Sequence, residues 1–260
     1  MSIYYHIYYE YITHKVLTPF YEKRLKSLSD LTLDKILKAK NPYLFRAKNI
    51  EIAGDLVRSI IDAHLSSQEE TIFGNLLEGF AIHVAENLYK GFKRTPPLKS
   101  VDLEFERDGV YYIVGIKSGT VWGNSDQIRA MLNHFVIAKL FLREQGVTSE
   151  IVAINGCMYG TEPNPLKNTI NRGAVLQEED RIYYEYAGQE FWHFISEDAD
   201  LYQEIVIPIA EAAKGRDIVF KTTYIGKINK MTEDFMERFL TSDKTQIDWT
   251  KLIDFVSKKR

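Results

Sequence analysis

Asp102 and Lys117 are the residues of this chain whose types and spacing first suggest chemistry. They lie in the stretch LKSVDLEFERDGVYYIVGIKSGTVWGNSDQ, residues 98–127, on either side of an Asp108-Gly109 pair. A carboxylate can hold a divalent cation, and an ammonium group beside it can orient a water molecule and offset charge on a phosphate. Phosphodiester hydrolysis calls for that combination, because the cation lowers the pKa of water and acts as a Lewis acid on the pentavalent phosphate. Mg²⁺ is hard, octahedral and keeps several waters, so one or two carboxylates beside the substrate phosphate suffice.

The elements that must position these groups can be read from the same stretch. Asp108-Gly109 is a two-residue turn of the kind that right-twisted hairpins favour, since both central positions want positive φ. With that turn, Val101 pairs with Ile116, Leu103 with Val114 and Phe105 with Tyr112, and the apolar residues fall on one face. The other face carries Asp102, Glu104 and Glu106 opposite Tyr111, Ile113, Gly115 and Lys117. Asp102 then faces Gly115, at a separation of about 4.5–5.5 Å for directly opposed positions, and Lys117 is next on the same side. Glu104 and Glu106 recede along the strand and are expected in solvent or on the rim.

Upstream, SQEETIFGNLLEGFAIHVAENLYKGF reads as a helix with an apolar stripe of Phe73, Leu76, Leu77, Phe80, Val84 and Leu88. Its flank of small residues, Gly74, Ala81 and Ala85, can approach a sheet closely and includes Glu78, the candidate for a further acid. Downstream, Ser125 can cap a long helix that ends at Gly146, and SEIVAINGCMYG reads as a buried strand. Ser118, Asn124 and Gln127 lie in or just after the loop behind Lys117. They are candidates for phosphate or base-edge contacts, with loop and capping hydrogen bonds as the competing use.

An aspartate, a spacer of a dozen or so residues, then acid-x-Lys across a hairpin is the signature of the PD-(D/E)xK nucleases. Val101-Asp102 and Gly115-Ile116-Lys117 resemble it, and the helix–strand–strand–helix–strand order agrees. FGNLLEGF, IKSG with WGNSDQ, and GQEFWHFIS resemble type II restriction endonucleases, in particular those that cut GGNCC-like palindromes. The resemblance implies a restriction-endonuclease-like α/β (α+β) fold, a central mixed sheet flanked by helices with helical N- and C-terminal elaborations. It implies Mg²⁺ on Asp102 and on the main-chain carbonyl of Ile116, with Lys117 holding the attacking water; Glu78, from its place on the helix flank, is the candidate for a further acid near the metal. It also implies double-stranded DNA as substrate, a homodimer matched to a palindrome, and a cognate DNA methyltransferase. A repair nuclease with the same core and a non-catalytic DNA-binding protein on a degenerate nuclease fold are the competing readings.

Gly115 stands where the family pattern has an acid. Glycine within a strand forfeits packing and costs about 0.5–1 kcal/mol against alanine. Either it is native and Glu78 or Glu104 stands in, or it replaces an original glutamate and impairs the enzyme. The second is the expectation preferred here, since glycine is one base change from glutamate.

The remainder of the chain reads as support. Residues 4–28 suggest an aromatic helix kinked near Thr18-Pro19, LTLDKILKAK a short helix, and residues 50–65 a helix with Ile52, Leu56, Ile60 and Ile61 in step. DRIYYEYAGQEFWHFIS suggests a strand running into an aromatic turn, DADLYQEIVIPIAEAAKG a helix interrupted near Pro208, and the tail amphipathic helices. The N-terminal helix and the tail are the expected dimer surfaces. The expected organisation is one nuclease domain over residues 1–260: a helical arm at 1–66, an αβββαβ-type core at 67–160 and an elaboration at 161–260. With 260 residues, 45% hydrophobic and 27% charged, the chain has ordinary globular composition. The single Cys157 excludes an intramolecular disulfide, and the six histidines lack zinc-site spacing. There is no Walker loop, no GxGxxG, no secretory signal and no apolar run near the ~20 residues of a membrane span, so a cytoplasmic location is expected. The net charge of −3 leaves nucleic-acid binding to a local basic surface.

Overall fold

A computed structural model of the chain describes residues 3–161, 167–169 and 182–258. Its helices are α1 (Ile3–Tyr11), α2 (Thr18–Ser29), α3 (Leu33–Ala39), α4 (Pro42–Ala47), α5 (Ala53–Tyr89), α6 (Ser125–Glu144), α7 (Gln189–Ser196), α8 (Leu201–Glu204), α9 (Val206–Ala213), α10 (Ile218–Phe239) and α11 (Trp249–Ser257). A π-helical stretch, Ile12–Leu17, carries the irregularity expected near Thr18-Pro19, and Pro19 itself lies in the first turn of α2, where its missing N–H costs nothing. Among the described residues, no helix is long and apolar enough to cross a membrane.

The chain divides into two compact units, Met1–Val16 with Gly74–Ala210, and Leu17–Phe73 with Glu211–Arg260. Among the described residues of the second unit, the named elements are all helices. Leu56, Val57, Ile60 and Ile61 pack with Leu28, Ile36 and Leu37 and with Ile228, Met231 and Phe235 of α10. Ile52, expected in that stripe, precedes α5 and is 64% exposed.

The first unit holds the sheet. Asp108 and Gly109 take φ of 53° and 76°, the two positive values their turn requires. They join β1 (Leu103–Arg107) to β2 (Val110–Gly119), in the register Leu103↔Val114 and Phe105↔Tyr112 that the turn dictates. With β3 (Glu150–Tyr159), β4 (Lys167–Thr169) and β5 (Ile182–Ala187), the order is β1-β2-β3-β5-β4. Pairing of β2 with β3 and of β3 with β5 is parallel, and the outer pairs are antiparallel, so the sheet is mixed and flanked by helices as expected. A parallel β2–β3 pair needs a crossover, and α6 supplies it. The α6 cap is Asn124, not Ser125: its side chain accepts from the N–H groups of Asp126 and Gln127, while the Gln127 side chain accepts from the Asn124 N–H.

Helices cover both faces of the sheet. On one, Ile113, Ala153 and Tyr183 pack with Met131, Phe135, Ala138 and Leu142 of α6. On the other, Phe105 stacks on Tyr89 of α5 and on Tyr112, beside Phe194 of α7. GQEFWHFIS therefore forms a helix and not an aromatic turn, its Trp192 ring N–H donating to Met158 O at 2.8 Å. Ala81 and Ala85 of α5 are wholly buried, which suits the close approach expected of its small-residue flank. Tyr8 and Tyr11 of the N-terminal segment pack on Phe80.

Three local expectations need correction. Val101 packs with Ile113 and Phe135, not on the face of Leu103, because strand alternation begins only at Leu103 and Ser100 turns the chain with φ of 58°. Between α5 and α6 there are two strands among the described residues, not three: Phe92 makes a single bridge with Glu104, and the Asp102 N–H that the next pair would need donates to Val114 O. Glu104 is neither solvated nor on a rim. It is 1% exposed, clasped by Arg94 through Nε at 3.0 Å and Nη2 at 2.8 Å, and it accepts from the Tyr111 hydroxyl at 2.8 Å.

Arg94→Met would leave the buried Glu104 with only Tyr111, and a loss of about 3 kcal/mol is expected in urea denaturation, as when one partner of a buried pair is removed. Burial, then the hydrogen bond and charge of Glu104, push the Tyr111 hydroxyl from 10.0 up to about 12. The fold thus holds this proton more tightly than the unfolded chain does. The contribution is whole below pH 10.0 and is lost as pH rises toward about 12. Tyr111→Phe should flatten that part of the alkaline stability curve.

Candidate active site

Asp102 stands one residue before β1, where the ladder to β2 ends. Its N–H donates to Val114 O at 2.8 Å, and its carboxylate Oδ2 accepts from the N–H of Ile116 at 2.9 Å. A backbone donor beyond the paired strand needs an acceptor, and the aspartate provides one. That bond fixes the carboxylate along the end of β2, beside Lys117, whose Nζ is 3.9 Å from Oδ2. Lys117 also donates to the Ile116 carbonyl at 3.1 Å and lies 5.3 Å from the centre of the Trp122 ring. Asp102, Ile116 and Lys117 are thus brought together.

Glu78 reaches the same place from α5, by way of Lys93, a residue the hairpin pattern does not announce. Lys93 Nζ donates to Glu78 Oε1 at 2.9 Å and to Asp102 Oδ1 at 3.1 Å, so one ammonium spans both carboxylates. Its neighbours hold it there. Phe92 exchanges backbone hydrogen bonds with Glu104, and Arg94 grips the Glu104 side chain. The only sequence signal was position, in the short GFKR run that joins the Glu78 helix to the Asp102 strand. Burial by itself would lower the pKa of Lys93, but hydrogen bonds and charge from Glu78 and Asp102 outweigh it and raise the pKa above its ordinary value.

Gly115 does not open into this space. A Cβ there would lie 2.6 Å from the carbonyl oxygen of Ser100 and 3.3 Å from Phe135 Cζ, so the chain before β1 and a ring of α6 already fill the position. Asn155 and Glu185 continue its row across the sheet. Asn155 Nδ2 donates to Glu185 Oε1 at 3.3 Å, and the buried Asn155 Oδ1 has no hydrogen-bond partner among the described residues. Of the residues expected to touch DNA, Asn124 and Gln127 use their side chains in the α6 cap. Ser118 packs on α5, its Oγ 2.6 Å from where a Cβ on Gly74 would be.

The residues present suit a hard divalent cation. A positive charge already sits between Glu78 and Asp102, and the Ile116 carbonyl accepts from Lys117 beside Asp102. Among the described residues no three His, Cys, Asp or Glu side chains form a cage, and two carboxylates with one carbonyl match an ion that retains waters and binds phosphate.

The model of the family described as Type II restriction endonuclease EcoO109I matches residues 8–217, a span that takes in all of these groups. A comparison with curated proteins found no match.

Packing around position 115 can be measured. Gly115→Ala is expected to destabilise the fold by about 1–3 kcal/mol, the usual cost of forcing atoms into a filled site, and Gly115→Glu by more. A thermal melt unchanged by either substitution would mean that the position is open.

Proposed function

The chain belongs to the family of the type II restriction endonuclease EcoO109I, and from that premise we propose that it hydrolyses double-stranded DNA at a short, GGNCC-like palindrome with Mg²⁺ held by Asp102, Glu78 and the Ile116 carbonyl. What carries this reading is the single ammonium shared by Glu78 and Asp102, 2.9 and 3.1 Å away, beside Lys117. When bound, the cation supplies Lewis acidity toward the phosphate and a more acidic water.

The protein's own contribution is position and charge. The Ile116 N–H orients the Asp102 carboxylate, so its other oxygen faces Glu78 and Lys93. Lys117, near Asp102 and Trp122, would hold the attacking water and offset charge on the phosphate oxygens. In this reading Glu78 supplies the acid that the family pattern places at 115, and Gly115 belongs to the packing. A two-fold homodimer would match the symmetry of a palindrome, and a cognate methyltransferase in the same cytoplasm would protect host DNA.

Plasmid cleavage with Mg²⁺ tests the assignment. Asp102→Asn should abolish it, and Lys117→Met should slow it by about 10²–10³-fold, the usual effect of losing one charge-stabilising donor. Glu78→Gln should leave a slower enzyme that recovers at higher Mg²⁺. If the intact chain binds DNA, leaves it uncut, and gains no affinity from Mg²⁺ through Asp102, the non-catalytic binding protein becomes the better reading.

A further inference from the structure

We infer that Lys93 is a displaceable occupant of the cation site: its ammonium holds Glu78 and Asp102 together in the metal-free chain, and on metal binding it swings out to a DNA phosphate. This deepens the reading above and rests on the cation site proposed there.

The geometry sets two conditions that any entering cation must meet. Lys93 contacts Oε1 of Glu78 and Oδ1 of Asp102. A metal ligated by both carboxylates must compete with the ammonium for those oxygens. The ammonium must then go elsewhere, since it would otherwise face a divalent charge at close range. Lys93 is able to leave. Its side chain is 42% exposed, against 23% for Glu78 and 17% for Asp102, so it enters the site from solvent on a flexible stem. Partly exposed ion pairs of this kind are weak enough to exchange. Phe92 and Arg94, both tied to Glu104, fix the backbone on either side, so the stem alone has to move. A released ammonium at the edge of a site built for a phosphodiester has the DNA backbone as its nearest source of negative charge. Metal and DNA then favour each other's binding through one side chain.

The test uses the full chain and Mn²⁺ alone, titrated by calorimetry without DNA. Lys93→Met and Lys93→Gln should each bind Mn²⁺ about tenfold more tightly than the parent, because the competitor is gone. Lys99→Met removes the same charge from a nearby exposed position and should leave Mn²⁺ affinity unchanged. Duplex binding is then followed against salt. With Ca²⁺ present, Lys93→Met should lower the salt slope by about one, as expected when one phosphate contact is lost. Without a divalent cation, its slope should equal that of the parent.

Mn²⁺ affinity that is unaltered or weakened in both Lys93 variants overturns the inference, as does equal tightening by Lys99→Met. An Asp102→Asn control separates the two levels. If it abolishes Mn²⁺ binding while the Lys93 variants behave as the parent does, the cation site stands and the role of Lys93 falls. If Asp102→Asn leaves Mn²⁺ binding intact, the cation site itself falls.

Discussion

Two carboxylates from separate elements share one small volume in this chain, and such a pair stays together when a positive group lies between them or when one of them takes up a proton. Asp102 and Glu78 meet across the Lys93 ammonium. Everything nearby serves to keep them there. The end of the β1–β2 ladder leaves the Ile116 N–H for Asp102, and α5 carries Glu78 to the edge of the sheet. The segment between α5 and β1 is pinned to Glu104 on both sides of Lys93. Glu104 itself is fully spent on Arg94 and Tyr111. Its burial and these hydrogen bonds hold the segment that carries Lys93.

The hairpin was legible in the sequence because two local rules agree there. Asp108-Gly109 admits one turn, and the turn sets the register that places Asp102 near Lys117. Glu78 was legible as an acid among small residues on a sheet-facing flank. Lys93 was not, because its role depends on a single bridge between Phe92 and Glu104, outside any regular element and without periodicity to announce it. The Asn124 cap was missed for a related reason: Asn124 and Ser125 are both acceptable capping types, and only the reciprocal bond from Gln127 decides between them. The buried Glu104 shows the limit of strand alternation, since a polar residue on a face says nothing about whether an arginine from elsewhere will cover it.

Gly115 illustrates how a pattern and a structure can differ over the same residue. Read as a family position, it is a missing acid. In the fold, the chain before β1 closes over it and the Phe135 ring packs on it, so the absence of a side chain is what lets the segment carrying Val101 and Asp102 lie close to β2. The two acids that do converge come from α5 and from the residue just ahead of β1. In the proposed reading such a pair would suffice for an ion that draws its remaining ligands from water and phosphate; the match to restriction endonucleases over residues 8–217 makes DNA the substrate class.

The decisive property of this chain is where it binds a divalent cation. Crystals soaked in Mn²⁺, with data collected at the manganese edge, would locate the ion by anomalous scattering. The expected result is a peak within ligand distance of both Asp102 and Glu78 and of the Ile116 carbonyl. A peak elsewhere, or a bound ion that leaves Asp102 outside its coordination sphere, would contradict it.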